Sequence, residues 1–339
     1  MLGAKFKTIE LKGRPTLSSS SSYLEEAELI HPEMQRSEPS EPSKEVFLPK
    51  KTGDPRKAPL KWPTAFFIIG IHFAALAAFF TFSWPAFFLC LFLHWITGGA
   101  GITLGYHRLL THRSFRIPKL LEYVFAMMGN LACQSGPIAW VAAHRFHHLR
   151  SDEPGDPHSP LDGFFWAHMG WCLQQNNEID NFKEYSKIVP DLASDPVYVL
   201  MDRTHILWTI LLSLGLYAWG GWSFVVWGVF LRVVLVYHCT WLVNSAAHVW
   251  GYRTYKTTDR SKNLWWVALL TYGEGWHNNH HAFQYSARHG LKWWEIDSTY
   301  LMIRILEKLN LAQAVKIPSK QLLASPYAPG VAAKLAAID

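Results

Sequence analysis

The sequence is short of charge and of cysteine. Only 17% of its 339 residues are charged, against about 25% in an average soluble domain. Half are hydrophobic, and 17 are Trp and 20 are Phe. That profile excludes an ordinary soluble globule and fits a membrane chain with a substantial polar part. The four cysteines, Cys90, Cys133, Cys172 and Cys239, form no C-x-x-C pair and no disulfide framework. Polar regions facing a reducing compartment are the simplest reading. No apolar signal-peptide core precedes residue 60. The basic residues are spread and no nucleic-acid motif is present, so the net charge of +6 points to an anionic membrane surface rather than to nucleic acid.

Residues 1 to 60 differ in kind. Ser18 to Ser22 form a serine run, and Pro32, Pro39, Pro42, Pro49, Pro55 and Pro59 punctuate the rest. This composition predicts a disordered tail. Lys5, Lys7, Lys12 and Arg14 keep a transit peptide open as the alternative, against which Glu25, Glu26 and Glu28 argue.

From there the chain alternates between apolar and polar blocks. Runs over 64–82, 85–104, 205–218 and 222–243 predict four transmembrane helices in two hairpins, the second turning at Gly220-Gly221. Lys50, Lys51, Arg56, Lys57 and Lys61 precede the first run, and Arg253, Lys256, Arg260 and Lys262 follow the last. The positive-inside rule therefore places both ends and the large loops in the cytosol or its plastid equivalent. Leu120 to Trp140 is nearly apolar, but Glu122, Asn130, Gln134 and Gly136-Pro137 interrupt it. It reads as interfacial or re-entrant. His72, His94 and His238 fall inside predicted spans, where packed, hydrogen-bonded histidines are expected.

What stands out is histidine. His144, His147 and His148 occur at i, i+3 and i+4, as do His277, His280 and His281. On a helix each trio shares a face. His107 with His112 and Asn244 with His248 add two pairs. Neutral imidazole is a ligand for iron, copper, nickel and zinc. So many histidines exceed the four ligands that one zinc takes.

These motifs closely resemble the three histidine boxes of membrane-bound fatty acid desaturases: His107-X4-His112, His144-X2-His147-His148 and His277-X2-His280-His281. The surrounding words agree, in Gly105-Tyr106-His107-Arg108, Gly155-Asp156-Pro157-His158 and Asn244-Ser245-Ala246-Ala247-His248. The resemblance covers roughly residues 60 to 310. It is nearest to the delta-9 branch, and closest in look to acyl-lipid desaturases of cyanobacteria and plastids. It implies an all-α integral membrane protein with a helical cytosolic cap, a desaturase domain over 61–310 and a C-terminal tail from 311. It also implies two iron ions held by His107, His112, His144, His147, His148, His248, His277, His280 and His281, with Asn244 acting through a water. Glu274, Asp156 and Asp152 are the plausible carboxylates behind them. Leu91, Trp95 and Trp140 would line a narrow acyl tunnel closed by the second span.

The same resemblance implies O2-dependent formation of a cis double bond in a glycerolipid acyl chain. The site would face the cytosol or stroma, in a thylakoid or cytoplasmic membrane of a cyanobacterium or in a plastid membrane. Acyl-CoA relatives carry Arg-Asp before the second box and a basic pair after the next Gly-Trp; this chain has Ala142-Ala143 and Gln175-Asn176. A CoA phosphate would lose its partners there. No His-Pro-Gly-Gly haem motif is fused to the chain, so the electron donor is external, with ferredoxin favoured over cytochrome b5. The alternatives are a related di-iron lipid hydroxylase, an acyl-CoA desaturase, and a membrane receptor or carrier that binds zinc.

Overall fold

The computed structural model describes residues 54–331; residues 1–53, and with them most of the expected tail or transit peptide, lie outside the described residues, as do 332–339. The described chain is helical, and its only β-pairings are isolated bridges.

Three helical runs are long and apolar enough to cross a membrane: α1 (Trp62–Phe80), α2 (Trp84–Thr111) and α6 (His205–Val249). Pro63 and Pro85 sit in the first turns of α1 and α2, where a missing N–H costs nothing. Run α6 is not straight. Gly220 and Gly221 leave helical geometry, and Gly221 has φ +66°, which glycine alone adopts without strain. Beyond this break the chain doubles back, so that Leu216 lies against Gly228. The turn between α1 and α2 meets this break, since Ser223 Oγ donates to Thr81 O at 2.7 Å.

The interrupted stretch after α2 forms two short helices, α3 (Lys119–Asn130) and α4 (Pro137–Arg150). Between them Cys133 and Ser135 take positive φ. Helix α3 lies directly on α2, because a Cβ on Gly101 would sit 2.4 Å from the Gly129 nitrogen. The turn is tied to α6. Arg232 Nη1 donates to Leu131 O at 2.7 Å, Tyr237 OH donates to Cys133 O, and Gln134 Nε2 donates to Thr240 Oγ1 at 2.8 Å. Arg232 is fully buried, and its charge faces the carbonyl end of α3, where the helix dipole is negative.

Short helix α5 (Pro196–Arg203) brings Asp202 to the start of α4. Asp202 accepts from the Ile138 and Ala139 N–H groups, each at 3.0 Å, and from Tyr185 OH at 2.7 Å. Histidines within the apolar runs are hydrogen-bonded. His72 Nε2 lies 3.1 Å from His238 Nε2, and His94 Nδ1 lies 2.6 Å from Tyr272 OH. Beyond α6 come α7 (His277–Ala282) and α8 (Lys320–Ala324). The expected C-terminal tail packs onto this body as far as it is described, with Leu322 and Ala328 seated against Tyr255 and Phe283.

Asp202 is the cap of the helix that carries the second histidine trio. Asp202→Ala leaves two α4 N–H groups and a tyrosine hydroxyl without their acceptor, which costs about 1–3 kcal/mol. Thermal unfolding of the purified protein should show a lower midpoint. An unchanged midpoint would mean that the cap carries no weight.

Candidate metal centre

Nine histidines of the expected site converge. His107, His112, His144, His148 and His280 bring their ring nitrogens within 4.8 Å of one another, and His147, His248, His277 and His281 form a second such group. Helices α4 and α7 each serve both groups. The i, i+4 pair of α4, His144 and His148, joins the first group and His147 the second; in α7, His277 and His281 join the second group and His280 the first.

The first pair, His107 and His112, is five residues apart, which on an α-helix would splay the rings by roughly 140°. The end of α2 winds wider instead, and His112 N–H donates to His107 O at 3.1 Å, five residues back. A π-helical turn of this kind puts i and i+5 on one face. The two ring centroids lie 4.8 Å apart. His248 comes from the last turn of α6, and Asn244, one turn earlier, lines the cavity beside His144 and His277.

Carboxylates orient four of the rings. Nδ1 of His107 meets Glu274 at 2.7 Å, His147 meets Asp156 at 3.0 Å, His248 meets Asp152 at 3.0 Å and His281 meets Asp259 at 2.8 Å. A ring that donates from Nδ1 turns an unprotonated Nε2 inward. Among the described residues, Nε2 of His112, His147 and His281 is buried with no hydrogen-bond partner. Nε2 atoms of His107 and His280 are 3.1 Å apart, and those of His248 and His277 are 3.0 Å apart. Nitrogens bound at right angles about 2.1 Å from one ion would be separated by about 3 Å. Buried inward lone pairs at this spacing fit a metal ion in each group.

Burial would raise the Glu274 carboxyl, but Arg108, His107 and His289 hold it well below the usual range. Asp156 and Asp259 are likewise held down against burial, by His147 and His158 and by His281. Arg108 is fully buried and bridges Glu274 and Asp297. His158 lies beside Asp156, 3.8 Å from its Oδ1. Sequence reading missed Asp259, whose loop carries no spacing tied to a box. It also missed His289, fully buried with Nδ1 2.9 Å from Glu274.

Two cavities meet at Trp140, His144, Thr240 and Asn244. One runs between α2 and α6 past Ile102, Gly98 and Val236 to His94, Cys239 and Tyr272. The other, about 540 Å³, opens towards Lys61, Asp180 and His205. Trp140 lies at their junction, and its Nε1 donates to Gln134 at 3.1 Å. Leu91 and Trp95 correct the expected tunnel wall. They are 49% and 41% exposed and line neither cavity. The inner face of α2 is the one carrying His94, Gly98 and Ile102.

Burial and neighbouring imidazoles push His112, His144, His148, His277 and His280 well below the usual histidine value. Unfolding lets each take up a proton below about pH 6.5. The unfolded chain then binds more protons, so this stability is present above about pH 6.5 and is lost as pH falls. Metal-stripped protein should weaken by on the order of 1 kcal/mol per histidine per pH unit below that point. Denaturation midpoints at pH 7.5 and 5.5 measure it, and equal midpoints would contradict it.

A family model described as "Fatty acid desaturase" matches residues 57–313. An sn-1 stearoyl-lipid 9-desaturase of Anabaena variabilis is 55% identical over 267 residues, 78% of this chain and 97% of that protein. An sn-2 palmitoyl-lipid 9-desaturase of Nostoc sp. is 48% identical over 271 residues, 80% of this chain and 94% of that protein. An acyl-CoA C20 Delta5-desaturase of Anemone leveillei is 47% identical over 254 residues, 75% of this chain and 81% of that protein. Matches of this extent reach from the start of α1 past all three histidine boxes, and the chain is a member of the fatty acid desaturase family.

Proposed function

We propose that the chain is a delta-9-type acyl-lipid desaturase that introduces a cis double bond into a saturated glycerolipid acyl chain. The observation that carries the reading is the junction of two cavities beside two clusters of buried imidazoles. Two irons would be held by His107, His112, His144, His148 and His280 and by His147, His248, His277 and His281, with Asn244 reached through a water. Bound iron supplies the oxidising power that an unactivated C–H bond requires, at the expense of O2 and two electrons. The protein's own part is positioning and exclusion of water. Four carboxylates fix the ring tautomers. Trp140, held by Gln134, and Thr240 line the point where the cavities meet. The acyl chain would enter by the larger cavity and extend past Trp140 towards His94.

The break in α6 and the meeting of Ser223 with Thr81 support four spans in two hairpins, with both termini and the metal centre on the cytosolic or stromal side. The membrane would be a cyanobacterial thylakoid or cytoplasmic membrane, or a plastid membrane. The donor is external, and ferredoxin fits better than cytochrome b5. A second reading, acyl-CoA as substrate, is favoured by the 47% identity to the acyl-CoA desaturase of Anemone leveillei.

Expression in a desaturase-deficient host, with fatty acids analysed by lipid class, tests the reading. New cis monoenes should appear in glycerolipids. Hydroxy acids instead would identify a hydroxylase. Purified enzyme offered stearoyl-CoA or a stearoyl galactolipid separates the two substrates, and turnover of the CoA ester alone would overturn the acyl-lipid assignment.

The far end of the tunnel gives a second prediction. His94→Ala should open it and shift products towards longer acids, by about fourfold in preference per added methylene at 0.8 kcal/mol each. Trp95→Ala should leave the profile unchanged. The reverse pattern would return Trp95 to the tunnel wall.

A further inference from the structure

Each double bond formed under the desaturase reading consumes two electrons: R–CH2–CH2–R′ + O2 + 2 e⁻ + 2 H⁺ → R–CH=CH–R′ + 2 H2O. Those electrons must cross the protein wall. Behind the second histidine group that wall is one carboxylate deep. Asp259 accepts from His281 Nδ1 at 2.8 Å. Asp152 accepts from His248 Nδ1 at 3.0 Å and from the Arg260 backbone N–H at 2.6 Å. Arg260 itself is exposed.

The exposed charges of 253–262 are of one sign. Arg253, Lys256 and Arg260 are exposed, and none pairs with a described carboxylate. Asp259, the single acid of 253–262, is 7% exposed and faces His281. The strip continues onto the next layer. Lys256 N–H donates to Pro326 O at 2.8 Å, and Leu322 of α8 packs in one cluster with Tyr255. That layer adds Lys320, exposed at the start of α8. It packs on Phe283, at the end of α7. The basic strip therefore lies over the back of the helix that carries the third histidine trio.

We propose that this strip docks an acidic, water-soluble one-electron carrier protein. Two reduced carriers bind in turn and each loses one electron, which passes inward by Asp259–His281 or Asp152–His248. The protons come from solvent. Charge complementarity selects the partner and speeds encounter. An anionic bilayer is the competing occupant, because Arg253 is only four residues beyond α6. The run of the strip onto Lys320, and its place directly outside His248 and His281, favour the carrier.

The test rests in part on the desaturase reading, and its arms are separable from it. A plant-type ferredoxin of net negative charge is the probe, with the full chain in nanodiscs. Arg253→Glu combined with Lys256→Glu should weaken ferredoxin binding by about tenfold or more and flatten its salt dependence. KM for ferredoxin should rise while turnover with reduced methyl viologen is retained. Lys320→Glu, on a separate segment, reads the same face if the double variant does not fold. Unchanged affinity and salt slope would overturn the proposal. So would an effect that tracks the anionic-lipid content of the nanodisc instead of the carrier. Failure of the unaltered chain to form a double bond with methyl viologen would count against the desaturase reading, and the binding arm would still decide the docking face.

Discussion

An imidazole buried among imidazoles raises a question of proton placement. Each neutral ring has one N–H and one lone pair, and a group of rings that must all present lone pairs inward needs acceptors outside it. Glu274, Asp156, Asp152 and Asp259 are those acceptors. Each needs support of its own, because a buried carboxylate without donors is expensive. Arg108 holds Glu274, the Ser261 N–H and hydroxyl hold Asp259, and backbone N–H groups hold Asp156 and Asp152. The loops around the boxes are therefore as much a part of the centre as the histidines.

The second consequence is mechanical coupling between helices. Because α4 and α7 each contribute to both groups, neither can shift without disturbing both. Helix α4 is fixed at its start by Asp202 and, through the turn before it, by Arg232, Tyr237 and Gln134 against α6. Helix α2 brings His107 and His112, and its glycines allow α3 to approach closely enough to brace it. The membrane-spanning runs thus act as the frame that sets distances in the polar cap.

This division explains what was legible in the sequence. The second and third boxes follow α-helical periodicity, so their shared faces could be read directly. The first box could not, because a five-residue spacing converges only on the wide turn at the end of α2, and nothing in the spacing announces that turn. The apolar runs were plain from composition. Their inward faces were not, because the first half of α2, residues 84–93, is apolar all round, with Phe88, Leu91 and Phe92 turned outward. A helix without a polar face carries no phase, which is why Trp95 was placed on the wrong side and His94 on no side at all. Asp259 and His289 reach the centre through tertiary folding of loops, and local sequence does not encode that.

The charge at the mouth of the larger cavity bears on the substrate more than identity does. Relatives near 50% identity carry both lipid and CoA names, so overall similarity does not separate the two. The mouth has one lysine, Lys61, and it is bound to Asp180 at 2.8 Å. Ala143 lines the cavity and Ala142 is fully buried behind it. A CoA ester would bring several phosphate charges to a place whose cation is already engaged. Breaking that pair to form another returns little, because an exposed ion pair is worth only about 0–1 kcal/mol. A glycerolipid arrives by a different balance. It is already concentrated in the bilayer beside α1, and it needs the mouth only to admit its chain. The neutral mouth is therefore a better match to a lipid drawn sideways from the membrane than to a polyanion captured from solution.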